Sequence, residues 1–222
     1  MSSNVTYKYI RQNPDIHTYI KNADAAVAVQ GYTEHSFTHV EKVAETVKMI
    51  LEGLGCDERK VELGMIAAYM HDIGNVINRI DHAQSGAVMA FRLLDNLNMP
   101  AEKICDIISA IGNHDEGTAQ PLNAITAALI IADKTDVRRS RVRNINALAN
   151  DIHDRVNFAV EKSELAFNED KTELILELTI DNRISSVMEY FEIFMNRMIL
   201  CKKSAEFLGV RFRIRANGSD LV

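Results

Sequence analysis

The sequence predicts a mainly α protein: an all-α helical core followed by a small antiparallel ββαβ appendage at the C-terminus. Three observations carry this expectation. From Pro14 to about Val137 the apolar residues recur at spacings of three and four. Gly and Pro punctuate the joints between these stretches. Beyond about Asp151 the apolar period falls to two. The expected division is a helical domain over residues 1–150, carrying the functional site, and a small ββαβ domain over residues 151–222.

Pro14 suits the first turn of a helix to about Gln30, with Ile16, Ile20, Ala23 and Val27 inward and Gly31 ending it. Thr33 is the expected cap of the next helix, whose stripe is Val40, Val43, Val47, Ile50 and Leu51. His39 lies four residues before Val43 and so faces inward. A third helix runs from about Asp57 through His71, where Gly64 and Ala68 permit close helix approach and Gly74 is the expected stop. Asp81 is the expected cap of the fourth, and His82 shares a face with Gly86, Met89, Leu93 and Leu97. Pro100 opens a fifth whose stripe, Ile104, Ile107 and Ile111, continues to His114. The segment from Ala124 to about Val137 is apolar nearly all round yet contains Asp133, and a carboxylate there is costly unless paired or bound to a cation.

In the C-terminal part, Val156, Phe158 and Val160 alternate, and so do Leu174, Leu176, Leu178 and Ile180 after a polar turn, which predicts two strands. A helix is expected from about Arg183 to Phe207, with Met188, Met195 and Met198 in its core face. The last strand carries Arg211, Arg213 and Arg215 on one face, a pattern that protects an edge from pairing.

With 47% hydrophobic and 25% charged residues the composition is that of a globular protein. A net charge of -6 argues against a nucleic-acid polymer or an anionic membrane as partner, and leaves a small molecule or a protein. Cys56, Cys105 and Cys201 are too far apart for a thiolate metal site or a disulfide framework, which fits a reducing cytoplasm. The apolar run Ala127 to Ala132 falls well short of the roughly 20 residues of a membrane span, and no signal-peptide apolar region opens the chain. A cytoplasmic location is expected, and a homodimer is compatible with all of this.

The chemistry concentrates on His39, His71, Asp72, His82, His114 and Asp133. A lone inward histidine is more often a hydrogen-bonded core residue than a ligand. Here four of the chain's seven histidines fall on inward stripes, together with Asp133 in an apolar helix, and a shared metal explains them jointly. His17 and His153 read as surface residues, and His35 opens its helix. Imidazole with carboxylate suits iron, manganese, zinc or nickel rather than calcium. Six such groups exceed a single tetrahedral shell; with Asp72 as bridge they suffice for two ions about 3.5–4 Å apart, the arrangement that clamps a phosphoryl group. Phosphoester hydrolysis by a bridging hydroxide is the expected chemistry.

These residues, in Met70-His71-Asp72-Ile73-Gly74, His82-Ala83-Gln84-Ser85-Gly86-Ala87, Asn113-His114-Asp115-Glu116 and Ile131-Ala132-Asp133-Lys134, resemble the HD-domain metal-dependent phosphohydrolases over roughly residues 30 to 145. The resemblance implies an all-α core, hydrolysis of a nucleotide or other phosphoester, and two divalent ions. Iron or manganese is expected, with zinc, nickel or magnesium as alternatives. It also implies a first set of His39, His71, Asp72 and Asp133 and a second of His82 and His114 with bridging Asp72. Two branches are most similar. One comprises the bacterial HD hydrolases of dinucleoside tetraphosphates. The other is the HD-GYP phosphodiesterases, although this chain lacks Gly-Tyr-Pro and has Asp115 where a second consecutive histidine would stand.

Many family members have a lysine three residues after the aspartate, and this chain has Asn75 there. Lys134 is then the first candidate for the catalytic cation. Asn75, Arg79, Asp115, Arg138 and Arg139 are candidate substrate contacts. The alternative reading is a nucleotide-binding sensor or regulatory module that uses the same metal site without turnover. A purely structural metal centre comes last, since it has no need of spare coordination positions.

Overall fold

The structure, a computed structural model, describes residues 5–143 and 151–221. Seven helices make up the first segment: α1 (Tyr7–Gln12), α2 (Pro14–Val29), α3 (Phe37–Gly53), α4 (Glu58–Met70), α5 (His82–Asn96), α6 (Ala101–Gly112) and α7 (Ala124–Lys134). The second segment adds α8 (Ile152–Ala159), β1 (Val160–Phe167), β2 (Glu173–Ile180), α9 (Val187–Phe207), β3 (Arg211–Ala216) and β4 (Ser219–Asp220). The expected domain boundary at residue 150 lies outside the described residues. No described helix is long and apolar enough to cross a membrane.

Helix α4 is the axis of the core. Every residue from Leu63 to Met70 is buried, and the helix packs on α3, α6 and α7. Gly64 makes the α3 contact close, for a methyl group there would stand 2.6 Å from Leu51 Cδ1. α7 is likewise buried from Ile125 to Ala132, as its apolar composition requires. The chain leaves α4 through a 3₁₀ turn, Ile73–Val76. Gly74 is not the expected left-handed helix stop. Its part is close approach: a Cβ would lie 2.0 Å from the His82 carbonyl oxygen, so its absence seats the start of α5 against the His71–Asp72 bend.

Several local expectations are corrected. α3 starts at Phe37 with Ser36 as cap, not Thr33, so His35 precedes the helix. Asp81 adopts a left-handed φ of 57° and makes no side-chain cap. Val156 and Phe158 belong to α8 rather than a strand, because Asp151 accepts hydrogen bonds from the His153 and Asp154 amides and nucleates a helix there. α9 starts at Val187 through a Ser186–Glu189 capping box. Met198 is buried, whereas Met188 and Met195 are 69% and 46% exposed and are not core.

The sheet has the order β1-β2-β3-β4. β1 and β2 pair antiparallel as expected, with Leu174, Leu176, Leu178 and Ile180 buried. β3 joins β2 in parallel, so the appendage is mixed rather than wholly antiparallel; the crossover through α9 returns the chain in the same direction. Arg211 and Arg215 meet Glu173 and Asp220 at 2.7 and 2.6 Å, surface pairs that neutralise the basic face of β3. α9 also packs on α7, which brings the C-terminal segment against the helix that carries Asp133.

Candidate metal centre

Six side chains from five elements converge at the bend after α4. His39 comes from the first turn of α3, His71 and Asp72 from the end of α4, His82 from the start of α5, His114 from just beyond α6, and Asp133 from the last turn of α7. All four imidazoles are buried, at most 2% exposed.

Each ring is fixed through Nδ1. His71, His82 and His114 donate to the carbonyls three residues earlier, Ala68 at 2.7 Å, Arg79 at 3.0 Å and Ile111 at 2.6 Å. His39 Nδ1 donates to Asp136 Oδ2 at 2.8 Å. A carbonyl or carboxylate can only accept, so these bonds place a proton on each Nδ1, and a neutral ring then presents the lone pair of its Nε2 to the centre.

Those lone pairs face one another and the two carboxylates. His71 Nε2 and His39 Nε2 lie 3.1 and 3.6 Å from Asp72 Oδ2, and His39 Nε2 lies 3.3 Å from Asp133 Oδ1. His82 Nε2 lies 3.4 Å from the other oxygen, Asp72 Oδ1, and 3.2 Å from His114 Nε2. His39 Nε2, His71 Nε2 and Asp72 Oδ2 are buried without any hydrogen-bond partner. Bare acceptors so arranged repel unless a cation lies among them. Three overlapping trios therefore have metal-site geometry: His39–His71–Asp72, His71–His114–Asp133 and Asp72–His82–His114, each with its ligand atoms within 4.8 Å. The donor set of imidazole nitrogen and carboxylate oxygen fits a divalent transition ion.

Electrostatics agree with this arrangement. Burial opposes a charge on His71, yet the neighbouring Asp72 and Asp133 outweigh it and raise the imidazole to about 10. Burial likewise opposes ionisation of both carboxyls, but His71 beside Asp72 and Lys134 beside Asp133 hold them well below the ordinary carboxylate range. Burial pushes His114 and His35 well below the usual imidazole value and lowers His82. A metal-free site thus keeps a proton on His71 between two carboxylates, where a cation would otherwise stand.

The remaining candidates divide by position. Asn75 is buried, and its Nδ2 donates to Asp72 Oδ1 at 2.9 Å and to the Asp72 carbonyl at 3.0 Å. Arg79 Nη1 donates to Asn75 Oδ1 and His82 Nε2 at 3.2 and 3.3 Å, with the guanidinium over the Tyr32 ring. Lys134 is buried and donates to Asp133 Oδ2 at 2.7 Å, leaving Oδ1 toward the histidines. Asp115 Oδ1 reaches only to 4.0 Å from His82 Nε2 and joins none of the trios. Arg138 and Arg139 are not brought to the cavity. Arg138 is held by Asp136 at 3.0 Å and Glu34 at 3.3 Å, and Arg139 by the Phe158 carbonyl at 2.5 Å.

Above the cluster lies a cavity of about 430 Å³, walled by Asp72, His82, His114, Asp133, Arg79 and Lys134 and also by residues outside the predicted set. His35 lines it with Nδ1 bound to the Thr33 carbonyl. His153 stands at its rim, and Phe194 and Arg197 enter from α9. Asp136, the partner of His39, was also missed; its signal is an acid just past the C-terminus of α7, where the helix dipole disfavours one.

Residues 36–154 match the family model of the HD domain. The chain is 25% identical over 199 residues to an uncharacterised protein of Methanocaldococcus jannaschii, an alignment covering 79% of this chain and 76% of that one. Among solved structures it is similar to the crystal structure of a predicted HD superfamily hydrolase from an uncultured Thermotogales bacterium. That likeness has a TM-score of 0.44 at 24% identity and covers 56% of this chain and 67% of the other.

Proposed function

Since the chain belongs to the HD domain family, we propose that it is a metal-dependent phosphohydrolase acting on a nucleotide or other phosphoester, with two divalent ions sharing Asp72. The observation that carries this reading is the set of Nδ1-anchored imidazoles whose Nε2 atoms, two of them without any hydrogen-bond partner, converge with Asp72 and Asp133 in a buried cluster under an open cavity. His39, His71, Asp72 and Asp133 would hold one ion, and His82 and His114 with the second oxygen of Asp72 the other. Bound there, the ions would supply a nucleophile from water near neutral pH and neutralise charge on the phosphoryl oxygens.

The chain's own residues have separable tasks. Asn75 fixes the rotamer of Asp72, so both its oxygens stay aimed at their histidines. Lys134 does the same for Asp133 and offsets its burial. Arg79 is the phosphate clamp we favour over Lys134. Its guanidinium lines the cavity and uses only Nη1 on protein groups among the described residues, whereas Lys134 is buried against Asp133. A cavity of about 430 Å³ suits a nucleotide-sized ligand.

The test is hydrolysis by anaerobically purified protein loaded with iron or manganese, across nucleotides, dinucleoside polyphosphates and cyclic dinucleotides. Release of phosphate or nucleotide that stops with a chelator is expected. Metal-loaded protein that turns over none of them contradicts the proposal, and tight nucleotide binding without turnover would transfer support to the sensor reading.

A further inference from the structure

Four cationic side chains line the cavity among the described residues: Arg79, Lys134, Arg141 and Arg197. Arg79 is the clamp already assigned to the reacting phosphoryl group, and two others are committed to the scaffold. Lys134 holds Asp133, Arg79 is bonded to Asn75 and His82, and Arg141 donates to the Glu34 and Asp136 carbonyls at 2.9 and 2.6 Å. Arg197 differs. Its ion pair with Glu116 is closest at Nε, and Nη1 and Nη2 donate no hydrogen bond to a described residue.

Its setting is fixed nonetheless. The guanidinium lies 4.6 Å from the centroid of the Phe194 ring, one helical turn earlier on α9, and Phe194 is only 1% exposed. Glu116 lies two residues beyond His114, so the pair tethers Arg197 to the loop that follows a residue of the metal cluster. A guanidinium clamped on one edge and stacked on a buried ring offers its remaining two nitrogens as a fork, the geometry that takes a phosphate or carboxylate in two parallel hydrogen bonds.

We propose that Arg197, presented by α9 and steadied by Phe194 and Glu116, is a subsite for a second oxyanion group of the substrate, held apart from the phosphoryl group that reacts. The C-terminal segment thereby selects the substrate: a phosphoester carrying a further phosphate or carboxylate is preferred to one with a single anionic end. The inference rests on the phosphohydrolase reading. The rival account makes Arg197–Glu116 only a latch between the two parts of the chain.

Calorimetric titration of the full, metal-loaded chain separates the accounts. The probes are alkyl monophosphonates, α,ω-alkanediphosphonates of increasing spacer length, and matched phosphonocarboxylates, none of which can be hydrolysed. At one spacer length a doubly anionic probe is expected to bind about tenfold tighter than its monophosphonate, as a charge-assisted fork should provide. The charged end that gives the gain identifies the second group. Arg197→Gln should remove the gain and leave monophosphonate affinity intact. Arg197→Lys, which keeps the charge and loses the fork, should retain part of it. Glu116→Gln should keep or enlarge it. Monophosphonate binding with no gain from a second anion at any length overturns this inference alone. So does an equal loss for both probe classes in Arg197→Gln and Glu116→Gln, which is the latch result. Failure of every phosphonate to bind the wild type overturns the phosphohydrolase reading and this inference with it.

Discussion

Replacing Asp136 by Asn perturbs the candidate metal centre through the partner of His39, with all six clustered residues left unchanged. Asp136 is 2% exposed and has both carboxylate oxygens engaged: Oδ2 accepts from His39 Nδ1 at 2.8 Å, and Oδ1 from Arg138 Nε at 3.0 Å. Burial opposes its ionisation, yet the bond from His39 outweighs burial and holds the carboxyl at about 2, so it is ionised at any working pH. Asparagine has one acceptor where two are needed. Either its amide nitrogen faces Arg138, donor against donor, or it faces His39 and forces the imidazole proton to Nε2, which removes that ring as a ligand. Loss of such an orienting partner weakens metal binding by about 10–100-fold, or about 1.4–2.8 kcal/mol. The assay is chelator-buffered titration of metal-free protein with Mn²⁺, fitted as two sites. The site that includes His39 should weaken while the His82–His114 site keeps its affinity, with the helical circular dichroism unchanged. An Asp136→Asn protein that binds both ions within about twofold of wild type would refute the reasoning.

Two further outcomes follow from the same geometry. Gly74→Ala places a methyl group 2.0 Å from the His82 carbonyl, so it should cost about 1–3 kcal/mol in denaturant unfolding and displace His82, lowering metal affinity at that half of the centre. In metal-free protein the raised His71 pKa contributes stability that is fully present below the unfolded value of 6.5 and is lost as pH rises through about 10. A metal ion needs that imidazole neutral, so its affinity should rise by about tenfold per pH unit within that window, with a proton released on binding; a flat affinity would show that His71 is not the competing group.

The sequence made the cluster legible because each histidine continues an apolar stripe and Asp133 interrupts one. Apolar periodicity reports which face of a helix is buried, and metal ligands share that face with the core. It says little about which helices meet. The contact between α7 and α9 that brings Phe194 and Arg197 to the cavity is therefore absent from any local pattern, as is the pairing of Asp136 with His39, 97 residues apart. Local chemistry explains the element errors. Val156 and Phe158 alternate by coincidence, and the Asp151 cap decides for helix. Met195 stands at a core-like spacing, but α9 is covered on one side only and leaves it exposed. At Asn75 the sequence shows only that a lysine is absent, whereas the fold gives the residue a bond to Asp72.

The most direct test of the account is the metal content of anaerobically purified wild-type protein and of Asp72→Ala, counted per chain alongside anomalous scattering from crystals. Asp72 contributes a different oxygen to each half of the cluster, Oδ2 toward His39 and His71 and Oδ1 toward His82. The account predicts two ions in the wild type, one at each half, and loss of both or all but one in the variant, with the fold kept. A metal-replete wild type that holds no ion among these six residues, or an Asp72→Ala protein that holds the same two ions in the same places, would contradict it.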